Sequence, residues 1–348
     1  MSVTRHNTNF NGTIEWTDSI IELPNVSSFI KDMMLFSVGY TNQSSVMFDK
    51  NTVTTTLLSE VDRRGGSPTK GTDRSVETFA LPLAYFHEQD YITKADYENK
   101  RRAGTADQED TLANVITEKL EDQRMKVDQT HEFMMLQALK GITVTPTGKV
   151  IANMFTEFGV TQPEVDFELG TDTTDVKAKC AVVKDTLAKN LKTGGRLSGI
   201  IPVFVDRSFF DKFVDHPSVK EAYLNSQSNV AYQAARTAYY TWGITDAFVF
   251  HGLEFLVYAH TFPLPAGSTA AAASIETDTG HVVPKLQGRS IFKAIYGSSR
   301  KLSVDGGQEM FAWEFRDERD FYHEIDVETH CLFYCERPLT LIKVVTSD

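Results

Sequence analysis

The chain has 348 residues, of which 41% are hydrophobic and 24% charged, and its formal net charge is -12 at pH 7. This length and composition describe a folded protein with one large domain or two ordinary ones, and exclude a disordered chain. The acidic balance disfavours a dedicated nucleic-acid binder because an acidic surface repels phosphate, although such a surface could still line a space that holds nucleic acid.

Residues 1 to about 24 hold apolar side chains at irregular spacing, among them Phe10 and Trp16. Such anchors between polar residues are typical of an arm that docks on another surface. They lack the continuous apolar core of a signal peptide, and no run of about 18 apolar residues elsewhere predicts a membrane span. We therefore expect synthesis and folding in the cytoplasm. After Pro24, an apolar stripe around Phe29 and Ile30 predicts a short helix.

Residues 51–82 predict an extended two-stranded hairpin. Residues 51–61 are rich in Thr and Val, which favour strands, and residues 74–82 predict the returning strand. Between them, Gly and Pro residues predict a wide turn. A two-stranded hairpin is marginally stable alone in water, so this one needs a surface to lie on.

Residues 111–140 predict one very long helix, about 45 Å in length. Thr111 can cap its start and Gly141 can end it. No second helix of this length is predicted, so we expect the helix to lie across a sheet rather than in a coiled coil. A long hairpin beside a solitary long helix makes a poor globule, which indicates that neighbouring copies complete the fold.

From about residue 173 helices and strands alternate. The predicted elements are a helix with Val176, Cys180, Val183, Leu187 and Leu191, a strand at 198–205, two short helices in 206–225, a hairpin at 248–258, a mobile loop at 266–280, and three strand-like runs in 311–345.

Catalytic and metal-binding signatures are missing from the sequence. There is no Walker loop, GxGxxG, GxSxG or HExxH motif, and His131-Glu132 is followed at position 135 by Met, so a zinc pair is incomplete. The three cysteines, Cys180, Cys331 and Cys335, lack zinc spacing and predict reduced, buried thiols. We therefore expect no cofactor and no metal.

Two charged segments leave alternatives open. The segment 316–330 could supply paired carboxylates and a histidine to a hydrolase, or it could hold solvent-facing residues and intersubunit ion pairs. We favour the second interpretation because no nucleophile accompanies the cluster. On the hairpin, Arg63, Arg64, Lys70 and Arg74 could touch nucleic acid, but at this net charge ion pairs with a neighbour are favoured. The segment runs from Arg316 to His330, and the carboxylates and histidines considered for a site are Glu318, Asp320, His323, Glu324, Asp326, Glu328 and His330.

An ordered set of short segments carries a family resemblance. The segments are Leu35-Phe36, Arg63-Arg64-Gly65-Gly66-Ser67, Leu81-Pro82, Met135-Leu136-Gln137-Ala138-Leu139-Lys140-Gly141, Phe204-Val205-Asp206-Arg207-Ser208-Phe209-Phe210, Val219-Lys220 and Arg337-Pro338-Leu339. In this order the chain resembles the major capsid proteins of tailed phages, of the lambda-type phage major capsid protein E family.

The resemblance implies an α+β protein with the tailed-phage major capsid fold. Its parts would be an N-terminal arm (1–50), an extended loop (51–82), a peripheral domain (83–172) with spine helix 111–140, an axial domain (173–310) and returning peripheral strands (311–348). The chain would be a non-enzymatic virion protein that assembles in the host cytoplasm, as pentamers and hexamers, into an icosahedral head shell around double-stranded DNA and passes through procapsid maturation.

The resemblance also implies partners. These would be further copies of the chain, a separate scaffolding protein, a portal and a possible decoration protein, with packaged DNA bound without sequence specificity. The candidates for intersubunit contact are Arg63, Arg64, Lys70, Arg74, Trp16 and Phe10. The alternatives are the shell protein of a cellular nanocompartment, which would share the fold, and an α+β hydrolase.

Overall fold

A computed structural model describes residues 6–8, 13–15, 20, 28–53, 60, 65, 74–98, 111–191, 195–197, 199–224, 244–270, 275–301, 304, 306–319 and 321–347. The strands are β1 His6–Thr8, β2 Thr13–Glu15, β3 Phe36–Tyr40, β4 Ser45–Val53, β5 Arg74–Pro82, β6 Ala84–Thr93, β7 Ile142–Val144, β8 Val150–Asn153, β9 Glu164–Asp166, β10 Ile201–Val205, β11 Ile244–Phe250, β12 Leu253–Tyr258, β13 Thr279–Val282, β14 Phe292–Tyr296, β15 Phe311–Arg316, β16 Tyr322–Cys335 and β17 Lys343–Val345. The helices are α1 Phe29–Asp32, α2 Leu112–Leu139, α3 Met154–Phe158, α4 Val176–Leu191, α5 Arg207–Asp215 and α6 Pro217–Leu224. In the described part of the chain, no helix is both long and apolar enough to cross a membrane.

The seven-stranded sheet is organised around β16, which is 14 residues long. The strand order is β1-β2-β15-β16-β14-β3, and β6 also pairs with β16. The β6 pairing is antiparallel and runs from Tyr322 opposite Thr93 to Cys331 opposite Ala84. Because β2 pairs with β15, the N-terminal region and the C-terminal third of the chain meet in one sheet.

The long helix α2 lies across this sheet, as the sequence predicts. Its start is capped by Thr111, whose side chain accepts a hydrogen bond from the Asn114 backbone N–H. Its end is followed by Gly141 at φ 87°, a left-handed conformation that glycine adopts without strain. The buried apolar interface comprises Val115, Ile116, Leu120 and Val127 of the helix and Ile92, Ala312, Ile325 and Val327 of the sheet.

The six-stranded sheet has the order β11-β12-β10-β13-β17-β9. Its β11–β12 hairpin turns at His251 and Gly252, both at positive φ, as two-residue hairpin turns require. Helix α4 buries the five residues that the sequence predicts on its apolar stripe. Helix α5 supplies Phe209 and Phe213, which stack against Phe255 of β12. These contacts give the sheet a core rich in aromatic rings.

The two sheets are tied together by α2 and α1. The Glu132 carboxylate on α2 is buried and accepts hydrogen bonds from the Ile30 backbone N–H at 3.0 Å and the Tyr258 hydroxyl at 3.1 Å. Burial raises the pKa of Glu132 to about 7, against the lowering effect of these donors. The short N-terminal helix, the long helix and β12 therefore share one buried contact.

Three features differ from the sequence expectations. The hairpin's first strand begins at Ser45, earlier than the predicted residue 51. The last residues of the predicted mobile loop at 266–280 are part of the folded core. Ile275 is buried, and Thr279 and Gly280 belong to β13. The two sheets do not follow the expected domain ranges. Strand β14, from the range 173–310, lies in the seven-stranded sheet, whereas β9 and β17, from the ranges 83–172 and 311–348, lie in the six-stranded sheet.

The three cysteines are free and buried. Burial raises the pKa of the Cys180 and Cys335 thiols to about 12, so both are protonated at neutral pH. This confirms the prediction of reduced, buried thiols.

Candidate functional site

The β4–β5 hairpin has one covered and one exposed face. Its covered face rests on the body of the chain, where the rings of Phe48 and Tyr334 lie 4.5 Å apart and those of Phe79 and Phe158 lie 5.7 Å apart. On the opposite face, Met47 is 71% and Val76 59% exposed. Exposed apolar side chains on a projecting hairpin indicate a surface that another molecule covers.

The hairpin strands leave the body at Lys50 and Glu77. These residues lie on the same face as Phe48 and Phe79 but form a 2.9 Å ion pair instead of apolar contacts. The Glu77 side chain is 68% exposed and that of Lys50 22%, so solvent reaches this pair from the β5 side. The strand pairing nevertheless continues to Val53 opposite Arg74.

Within the described residues, β1, β3 and β6 of the seven-stranded sheet each pair with one neighbour, and β3 and β6 also expose apolar side chains. Strand β6 pairs with β16 alone, and β3 pairs with β14 alone. Val38 and Tyr40 of β3 are 56% and 64% exposed, and Tyr91 of β6 is 50% exposed. Open edges with apolar side chains invite pairing with another chain. Together with the hairpin, they form the candidate assembly surface of the subunit.

Within the charged segment 316–330, the strand β16 places His323 on one face of the sheet and four charged or histidine side chains on the other. On the face toward α2, His323 Nδ1 lies 2.6 Å from the buried Glu314 carboxylate. On the other face, Asp326 lies 3.3 Å from His87 Nε2. Because alternate residues of a strand point to opposite faces, His323 is separated from Glu324, Asp326, Glu328 and His330, which share the second face.

Glu328 on that second face is likewise engaged. Its carboxylate accepts hydrogen bonds from the Tyr85 hydroxyl at 2.9 Å and the Arg300 backbone N–H at 3.0 Å. Burial, together with Glu328, raises the pKa of Tyr85 to about 12. Asp320 lies outside the described residues. The arrangement favours structural ion pairs over the carboxylate–histidine site that the hydrolase alternative requires.

One polar cluster has the composition of a metal site. Asp128 and His131 of α2 and Glu309, which precedes β15, bring their potential ligand atoms within 4.8 Å of one another. Burial raises the pKa of Asp128. Burial also acts to raise that of Glu309, but the neighbouring His131 and Lys31 side chains lower it to about 2. Sequence reasoning missed this cluster because the HExxH test looks along the helix, whereas the third group comes from a distant loop.

The residues proposed from sequence as intersubunit contacts lie mostly outside the described residues. This holds for Phe10, Trp16, Arg63, Arg64 and Lys70. The backbone of Arg74 lies in β5 opposite Val53, while its side chain is outside the described set. Their contact role stays a prediction.

The comparisons with known proteins agree along nearly the whole chain. Residues 13–346 match the family model of phage major capsid protein E. The chain is 30% identical over 346 residues to the major capsid protein of Salmonella phage Felix O1 and 29% identical over 338 residues to that of Pseudomonas phage KPP10, with 94% of each chain covered in both cases.

Solved structures show the same fold at low sequence identity. The capsid structure of cyanophage P-SCSP1u matches with a TM-score of 0.52 at 10% identity, covering 94% of this chain and 90% of that one. The mature capsid asymmetric unit of bacteriophage PhiM1 matches with a TM-score of 0.52 at 12% identity, covering 100% and 92%. The fold is the α+β tailed-phage capsid fold, and the chain is a structural protein of the virion that assembles with further copies of itself. By its sequence over almost its full length, the chain belongs to the phage major capsid protein E family.

Proposed function

We propose that copies of this chain assemble as pentamers and hexamers into the icosahedral head shell that encloses the double-stranded DNA genome of the phage. The observation that carries this proposal is the β4–β5 hairpin, which is fixed at its base by Phe48 and Phe79 yet exposes Met47 and Val76. A surface of this kind gains stability when a neighbouring subunit covers it.

The proposed domains follow the two sheets. The seven-stranded sheet with α2 as its spine would be the peripheral domain, and the six-stranded sheet with α4, α5 and α6 would be the axial domain that faces its counterparts in each capsomer. The arm would span residues 1–50. The extended loop would span 51–82, with its first strand reaching back to Ser45.

Contacts between subunits would use the hairpin and the arm. Arg63, Arg64, Lys70 and Arg74 would form ion pairs with acidic residues of a neighbour, and Phe10 and Trp16 would anchor the arm. With a net charge of -12, ion pairs with another acidic subunit are favoured over binding of DNA phosphate.

Other partners follow from the same role. A separate scaffolding protein, a portal and a possible decoration protein would join the shell in the host cytoplasm, and the acidic charge would limit adhesion to the packaged DNA. A non-enzymatic role is supported by the engagement of Asp326 with His87 and of Glu328 with Tyr85 and the Arg300 backbone. The phage origin of both curated relatives argues against a nanocompartment shell.

The test is electron microscopy of the purified chain, expressed with and without the scaffolding protein of its phage. We expect closed shells from the wild-type chain and folded subunits without shells from the double variant Met47→Asp/Val76→Asp, because two charges cannot be buried unpaired at an interface. The matched control Met47→Leu/Val76→Ile keeps the face apolar and should still build shells. A wild-type chain that stays monomeric under both conditions would contradict the proposal.

A further inference from the structure

The polar cluster on α2 has a geometry that the shell role does not explain. Asp128 and His131 lie one turn apart on the helix and are 3% and 1% exposed. Glu309 approaches them from the loop before β15, with its carboxylate oxygen 3.8 Å from His131 Nδ1. Each of the three side chains offers one metal-binding atom, and these atoms lie within 4.8 Å of one another.

Hydrogen bonding fixes the orientation of the histidine ring. The Thr329 hydroxyl donates its only proton to the backbone carbonyl of Glu309 at 2.7 Å. Its oxygen, 3.1 Å from His131 Nε2, must then accept the proton of that nitrogen. In a neutral imidazole the other nitrogen, Nδ1, consequently carries a lone pair. Metal-binding histidines are commonly oriented in the same way: one ring nitrogen donates a hydrogen bond to the protein, and the other binds the metal.

Two buried atoms in the cluster lack hydrogen-bond partners among the described residues. They are His131 Nδ1 and Asp128 Oδ1. Both residues belong to the group whose potential ligand atoms lie within 4.8 Å of one another, and a buried polar atom without a hydrogen bond is destabilising. A lone pair beside two carboxylates is an arrangement that a cation relieves.

The Arg124 guanidinium already pairs with Asp128 Oδ2 at 3.3 Å, and a second cation, the ammonium group of Lys31, lies beside Asp128 Oδ1 and Glu309. The Lys31 Nζ lies 3.6 Å from Asp128 Oδ1 and also contacts the Glu309 carboxylate. The Lys31 side chain is 28% exposed, so the ammonium can turn outward into water. A cavity of about 330 Å³ lined by Lys31, Tyr296 and Glu309 opens beside the cluster and gives room for entry and for water ligands.

We propose that Asp128, His131 and Glu309 form a binding site for a divalent transition-metal ion of the Zn²⁺ type, and that the ion displaces the Lys31 ammonium when it binds. One imidazole nitrogen and two carboxylate oxygens, with water completing the coordination, are ligands that zinc accepts. Bonds of about 2 Å require ligand atoms about 3.3 Å apart, closer than they lie here. Glu309 can supply the movement because its side chain is 26% exposed on a loop. The ion would fasten α2 to the loop that leads into β15.

The test uses the purified full-length chain, without a histidine tag and stripped with chelator. Co²⁺ serves as the spectroscopic probe, and Zn²⁺ binding is measured by titration calorimetry. We expect visible ligand-field bands that saturate at one Co²⁺ per chain and are abolished by Zn²⁺. Glu309→Gln should weaken Zn²⁺ binding at least tenfold because it removes a charged ligand from the most exposed of the three positions. Lys31→Met should strengthen binding at least tenfold because it removes the competing ammonium.

A matched control variant tests whether changes in metal binding are specific to the proposed ligands. His323→Gln changes a histidine of β16, in the sheet that α2 crosses, which is engaged with Glu314, and should leave binding unchanged. Circular dichroism and thermal melting check that each variant is folded. The absence of ligand-field bands, or equal Zn²⁺ affinity of the wild type and Glu309→Gln, would overturn the site. Unchanged affinity in Lys31→Met would overturn the displacement of the ammonium.

Discussion

Glu276 links the stability of the subunit to pH. Its carboxylate lies 3.1 Å from His281 Nε2 and accepts a hydrogen bond from Lys140 Nζ at 2.8 Å. The hydrogen bond from His281, followed by the charge of Lys140, holds the pKa of Glu276 well below its ordinary value. Because the folded-state pKa is lowered, the stabilisation is present above the unfolded-state pKa of about 4.3 and is lost as pH falls further.

We therefore predict that Glu276→Gln lowers the stability of unassembled subunits at pH 7 by about 1 kcal/mol, a modest value because the carboxylate is half exposed and screened by solvent. The difference from wild type should shrink as the pH is lowered toward about 3. Urea unfolding at several pH values measures both effects. Glu157→Gln, which alters an exposed glutamate of α3, is the control and should change little. A difference that grows on acidification would contradict the sign of the linkage.

Gly280 is required by close packing in the six-stranded sheet. A Cβ atom there would lie 2.6 Å from Val205 Cγ1 and 2.9 Å from the Phe204 carbonyl oxygen. We predict that Gly280→Ala destabilises the subunit by about 1–3 kcal/mol, measured by chemical denaturation. Adding Val205→Ala should recover part of the loss but not all, since the carbonyl contact stays. Wild-type stability in the single variant would show that the sheet can open at this point.

The same glycine explains why the sequence misleads in this region. Residues 266–280 are rich in small side chains, a composition that predicts a loop. Here Gly280 serves instead to let β13 lie close to β10 and β17. Composition cannot distinguish these two uses of glycine, because the difference lies in neighbours that are distant in sequence.

At the scale of elements, local signals are sufficient for α2 and α4 but not for the short helix α3, which the sequence analysis does not predict. The ends of α2 are predicted to within one residue because Thr111 supplies a cap and Gly141 a stop. The start of β4 was missed because residues 45–50 include few β-branched side chains. Sheet membership could not be predicted at all for β9, β14 and β17, since it depends on pairing between remote segments. The sequence shows that Asp128 and His131 lie one turn apart on the helix, but it does not show that Glu309 joins them.

The hairpin offers a prediction at this scale. Deleting residues 65–71 should leave folded subunits that fail to build stable shells, because the contacts of Phe48 and Phe79 that hold its base lie outside the deletion. The melting temperature of unassembled subunits should change little. Microscopy and sedimentation measure the assembly defect. Shells as stable as those of the wild-type chain would show that the tip has no role at a neighbouring subunit.

At the scale of the whole molecule, the small free energy of one contact between subunits adds up because a closed shell repeats that contact many times. We predict that Arg63→Ala/Arg64→Ala leaves subunit melting nearly unchanged but raises the concentration needed for assembly. An exposed ion pair contributes only about 0.2–1 kcal/mol, yet a closed shell repeats each contact at every equivalent interface. The defect should resemble that of the wild-type chain at high salt, because salt screens exposed charges.

The control for this prediction is Arg289→Ala/Lys293→Ala, which removes the same charge but from residues that pair with Glu336 of their own chain at 3.0 and 3.7 Å. Light scattering over a concentration series gives the assembly threshold of each variant. An unchanged threshold in Arg63→Ala/Arg64→Ala would refute the ion-pair role. Normal empty shells that have lost packaged DNA would instead assign these arginines to the nucleic acid, since removing phosphate contacts weakens DNA binding without touching the interfaces that close the shell.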